Sequence, residues 1–146
     1  METWPALPYE DWRDTLATLH MYSQVIGKLR VAQSPFEPEW ANVGLYLTPR
    51  GLTTSAIPYG LACFDAEFDF VDHELVLRAS NEAAERIALS GQDVADFYQQ
   101  VMEALKHLGM PVAYLHSAYA TSKTLGKWNP STVMYDFFLD ELAATK

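Results

Sequence analysis

Phe64-Asp65-Ala66-Glu67-Phe68-Asp69-Phe70 alternates apolar and acidic residues with a period of two. Successive side chains of a strand point to opposite faces, so this stretch predicts a β-strand with one core face and one wet face. Downstream, Asp72-His73 reads as a tight hairpin turn into a strand over Leu75 to Ala79, and a turn around Asn81 leads into Arg86 to Leu89. Upstream, Leu45 to Thr48 and Leu52 to Ile57 flank Pro49-Arg50-Gly51, where proline presets φ and glycine tolerates a turn. The expectation is an antiparallel β-meander of about five strands.

Helical patterns flank the meander. Trp12, Leu16, Leu19, Ile26 and Leu29 recur at spacings of three, four and seven between Tyr9 and about Gln33, and Ser34-Pro35-Phe36-Glu37-Pro38 ends the helix. A second stripe, Val94, Phe97, Tyr98, Val101, Leu105 and Leu108, is opened by Ser90 with Asp93 as a cap. It closes with Lys106 and His107 ahead of Gly109. Val112 to Leu115 reads as a short strand, Ser117 to Trp128 as a loop, and Asn129 with Pro130 opens a last helix to about Ala144. Together these predict one α+β domain over residues 1–146, two layers deep, with the helices packed on one face of the sheet.

The 146 residues are 49% apolar and 20% charged, a globular composition able to bury one core unaided. Nineteen acidic residues against ten basic ones set a net charge of −9, a field that repels phosphate backbones and anionic lipid heads. Neither nucleic acid nor a membrane surface is expected as a partner. Cys63 is the only cysteine and fits a small buried hydrophobe, which suits a reducing cytoplasm. No signal peptide or membrane span is recognised.

Trp4-Pro5-Ala6-Leu7-Pro8, Trp12, Thr15-Leu16, Leu19-His20, Gln24, Ile26-Gly27-Lys28 and Arg30 form an opening motif. Arg50-Gly51-Leu52-Thr53-Thr54-Ser55, Ile57-Pro58-Tyr59-Gly60 and Phe68-Asp69-Phe70-Val71-Asp72-His73 follow. Across these blocks the chain resembles a bacterial family, domain of unknown function 5996, over about residues 4–110. The divergent tail and helix 111–146 stand where such proteins usually continue into a half rich in aromatic, His and Glu residues. The resemblance implies no particular activity.

Along the first helix Arg13, Ala17, His20, Gln24 and Lys28 share a stripe, and His20, Gln24 and Lys28 stack at successive turns. With Trp12, Arg30, Arg50 and the inward hydroxyl of Thr54 they form a candidate site for a small carboxylate or phosphate, held by charge-assisted hydrogen bonds. The plainer reading is a solvated helix face and a threonine-rich strand. His20 is the one histidine with company suited to acid or base work, so an enzyme using His20 with Lys28 and Arg50 is the alternative. A structural subunit that binds another protein is a third reading.

Asp65, Glu67 and Asp69 read as a solvated acidic row, because a straight row cannot enclose a cation. Gly27-Lys28 and Gly126-Lys127 lack the phosphate-loop pattern. Tyr22 and Thr121 stand where its first glycine belongs, and Leu29 and Trp128 replace its hydroxyl residue. No metal or cofactor is expected, and the four tryptophans read as core or as lining of an apolar pocket. Val133, Met134, Tyr135, Phe137, Phe138, Leu139 and Leu142 cover more than half of the last helix, which predicts a homodimer through it.

Overall fold

The computed structural model describes residues 6–112. Residues 6–111 pack as one compact unit. The tail strand, loop and last helix, with the dimer contact assigned to that helix, lie outside the described residues.

This unit is α+β. Helix α1 (Tyr9–Gln33) leads through a kinked 3₁₀ segment (Pro38–Val43) into six strands: β1 (Tyr46–Leu47), β2 (Gly51–Thr53), β3 (Ile57–Tyr59), β4 (Ala62–Asp69), β5 (Glu74–Ala79) and β6 (Ala84–Ala88). Helix α2 (Val94–His107) follows. All strand pairs are antiparallel in the order β1-β2-β4-β5-β6, and β3 also pairs with β4.

The meander is therefore present, with one correction: the strand expected over Leu52 to Ile57 is broken. Thr53 pairs with Glu67 and Ile57 with Phe64, so three residues face two across the gap. This is a β-bulge. Ser55 takes φ 59 there. Thr54, fully buried, repairs the ladder: its N–H donates to Ala66 O at 2.9 Å and its Oγ1 accepts from Ala66 N at 3.0 Å.

The alternation that opened the reading holds through the sheet. Phe64, Ala66 and Phe68 of β4 are buried beside their partners Ala79, Leu77 and Leu75 of β5. Both helices cover this face. Tyr22 of α1 stacks on Phe97 of α2 at 3.9 Å between centroids, and Phe97 stacks in turn on Phe68 at 6.4 Å. Aromatic area at the point where three elements meet makes this the centre of the core.

The opposite face corrects the expectation of a solvated acidic row. Arg78 reaches Asp65 at 2.9 Å and Glu67 at 2.7 Å, and Thr48 Oγ1 also donates to Glu67 at 2.8 Å. Arg86 pairs with Glu74 at 2.7 Å. Arg78 on the neighbouring strand β5 bridges two carboxylates of the row, which a single-strand pattern could not reveal. Cys63 sits on this face too and is half-buried, so it is not a core residue.

In α1 the buried residues are Tyr22, Val25, Ile26, Leu29 and Arg30, while Trp12, Leu16 and Leu19 are only half-buried. The C-terminal half of the helix thus seals the core, and the N-terminal half leaves apolar side chains partly open. In α2 the cap is Asp93 itself, whose side chain accepts from Asp96 N at 2.8 Å, with Ser90 outside the helix. Gly109 follows at φ 73, as a helix-ending glycine should.

Candidate functional site

The half-open end of α1 forms one wall of a groove of about 550 Å³. Trp12, Thr15, Leu19 and Tyr22, at spacings of three and four, turn one helical face toward it. Phe70 and His73, from the tip between β4 and β5, form the second wall, and Leu89 with Gly91, from the loop between β6 and α2, forms the third. Asp14 and Thr18 complete the lining.

Each wall is anchored. At the hairpin tip, Asp69 ends β4 with a buried carboxylate whose Oδ1 accepts from Val71 N at 2.9 Å and Asp72 N at 3.1 Å. Its Oδ2 accepts from Arg50 Nε at 2.6 Å, and Arg50 Nη2 reaches Asp72 Oδ2 at 2.6 Å. The Arg50 guanidinium, helped by the two backbone N–H groups, holds the Asp69 carboxyl down at about 2. Phe70 N donates to Arg50 O and Leu89 N to His73 O, so the tip is tied to both neighbouring segments. His73 sits at φ 55, the turn geometry its position in the hairpin calls for.

The third wall is organised by Gln92. Its Oε1 accepts from Ser90 N and Ser90 Oγ, both at 3.0 Å, and its Nε2 donates to Ala88 O at 2.8 Å. Tyr22 Oη donates to the Gln92 carbonyl and thereby joins α1 to this loop. Burial, then the nearby Asp93 charge, raises the Tyr22 phenol above its ordinary value, so it stays protonated and keeps donating.

The residues expected to bind an anion do not assemble around this groove. Trp12 lines it. Arg50 is spent on Asp69 and Asp72. Arg30 is buried and donates through Nη1 to Gly44 O at 2.6 Å and Thr54 O at 2.7 Å, with its guanidinium over the Tyr46 ring at 5.0 Å. Arg30 and Thr54 thus meet, but as a clamp between α1 and the bulge. Thr54 Oγ1 is committed to the sheet and to Ser55 O.

His20 is exposed on α1, and Gln24 and Lys28 are half-buried on the same helix. Burial pushes the Lys28 ammonium below its ordinary range. Arg50 belongs to the Trp12 end of α1 through its bond to Phe70, while Lys28 lies sixteen residues further along, about 24 Å at 1.5 Å per residue. One anion cannot span that distance.

Thr15, Thr18, Tyr22, Phe70, His73, Leu89 and Gly91 were not singled out by the sequence as site residues. The spacing of Trp12, Thr15, Leu19 and Tyr22 carried a signal, since a threonine interrupts an otherwise apolar face. Phe70, His73 and Leu89 carried none, because only pairing of β4 with β5 and of β5 with β6 brings them to the helix.

Among the described residues no group of three or more His, Cys, Asp or Glu is placed to hold a metal ion, and no helix is long and apolar enough to cross a membrane. Residues 4–123 match the family of unknown function DUF5996, a span that runs past position 110, where the motif resemblance ends. No curated protein and no solved structure matches the chain.

Proposed function

The chain belongs to the DUF5996 family, a family of unknown function, and within it we propose that it serves as a small-molecule-binding module whose site is the Trp12 groove. The observation that carries this reading is the groove itself. Its volume lies within the range of ligand sites, its walls are aromatic and aliphatic, and a few hydroxyls, one imidazole and one carboxylate offer direction. The lining comes from three separate segments, each held by its own hydrogen bonds, so the walls are largely preformed.

The groove favours this reading over the enzyme alternative. Among the described residues that line it, none is a nucleophile paired with a base, and His20 is not one of them. A ligand held by Lys28 and Arg50 together is disfavoured by their separation and by the ion pairs of Arg50. We further propose a cytoplasmic setting in a bacterial cell, on the strength of the single cysteine and the family resemblance. A homodimer through the 129–144 helix, with neither nucleic acid nor membrane as partner, completes the proposal.

The test is a fragment screen by thermal shift and ligand-observed NMR. At least one fragment should raise Tm in the native protein and lose its effect in both Trp12→Ala and Phe70→Ser, while His20→Gln keeps it. Hits that survive both groove substitutions would move binding elsewhere and refute the reading.

A further inference from the structure

Two hydroxyls of the groove already have their protons committed. Thr18 Oγ1 donates its proton to Asp14 O at 3.0 Å, and Tyr22 Oη donates its own to Gln92 O. A hydroxyl has one proton, so both oxygens keep only lone pairs for whatever enters. The Asp14 carboxylate, an acceptor by nature, is 95% exposed and touched only by Arg13, at a long 3.4 Å. Its partner Arg13 is shared with Glu10, so two carboxylates draw on one guanidinium.

Among the described residues no lysine or arginine lines the groove. Of the cations near it, Arg50 is held by two carboxylates and Arg13 by Glu10 and Asp14. Trp12 and Phe70 supply aromatic rings on which a cation can stack, and the chain as a whole carries −9. Among the described lining residues the one formal charge at pH 7 with His73 neutral is the Asp14 carboxylate, and the donors are Trp12, Thr15 and His73.

We infer that the groove takes a small organic amine in its protonated form, with its apolar body against Trp12 and Phe70 and its ammonium toward Asp14 and Thr18. Three N–H donors on an ammonium match the lone pairs of a carboxylate and of hydroxyls whose protons are committed. A carboxylate or phosphate placed there would meet acceptors and a like charge. The inference deepens the binding-module reading and rests on it.

The test uses three probes of one shape: tryptamine, indole and indole-3-propionate, titrated calorimetrically into the full chain at pH 7. Tryptamine should bind about tenfold or more tighter than the propionate, as cation–π and carboxylate contacts of this kind allow. Asp14→Asn and Thr18→Val, both on the outer part of α1, should weaken tryptamine several-fold more than they weaken indole.

Equal affinity for all three probes, abolished by Trp12→Ala, would overturn the amine inference and leave the groove as the site. Preference for the propionate would overturn it as well. So would the absence of binding by any probe up to millimolar concentration, in which case the fragment screen with Trp12→Ala and Phe70→Ser decides the binding-module reading separately.

Discussion

Gly51→Ala should be among the most damaging single-methyl additions to the sheet. Gly51 opens β2 opposite Asp69, and a Cβ built on it lands far inside 3.0 Å of the Phe68 carbonyl oxygen and at 3.2 Å from Phe70 Cδ2. The obstacle is backbone on the central strand, so no rotamer change relieves it. β2 must move by more than an ångström from β4, which stretches the 2.9 Å bond from Phe70 N to Arg50 O beyond useful length and disturbs the neighbouring Thr48 N to Gly51 O bond.

Two or three lost bonds at about 1 kcal/mol each, with about 1–2 kcal/mol of residual crowding, total roughly 3–5 kcal/mol. For a unit of this size that lowers Tm by roughly 15–30 °C. Urea unfolding and thermal melts followed by far-ultraviolet circular dichroism measure it. The control is Gly27→Ala in α1, where nothing lies within 4 Å of the added methyl. Helix propensity there should add about 1 kcal/mol of stability. A Gly51→Ala midpoint within a few degrees of the native protein would refute the clash argument.

Further outcomes follow from the same geometry. Asp69 is held at about 2 against 3.8 when unfolded, so its contribution is complete above about pH 4 and lost as pH falls through 2. Asp69→Asn should flatten that part of an acid-stability curve and lower the midpoint at pH 7. Thr54→Val keeps shape but orphans the buried Ala66 N–H, which should cost about 1–3 kcal/mol by urea denaturation, with Thr54→Ser restoring much of it. Lys28→Met should raise Tm at pH 7, because the folded state disfavours the charged ammonium. The gain should shrink as pH rises past the lowered folded pKa and vanish above 10.5, where neither state carries the charge.

Much of the fold was legible because its signals are local. The alternation over 64–70 identified β4 and its two faces, and the helical period with its prolines bounded α1 at Tyr9 and Gln33. Breaks in pattern were harder. The bulge at Thr54 to Ala56 looks like continuous strand, since Thr and Ser suit strands, and it shows only when β4 supplies the register. The Asp93 cap was displaced from Ser90 because both residue types cap well, and the helix start depends on which side chain reaches an N–H.

The candidate site divides along the same line. Sequence alone established an α+β meander, an acidic chain and membership blocks for its family, and left Trp12 between core and pocket lining. Tertiary structure alone decided what the charged residues do. Arg50 was attractive for an anion by composition, yet two aspartates nineteen and twenty-two positions away claim it. Arg30 looked available, yet the carbonyls of Gly44 and Thr54 bury it. Periodicity reports which face of its own element a residue occupies. A charge's role depends on which distant partner the chain delivers within about 3 Å, and strand pairing and helix docking make that delivery.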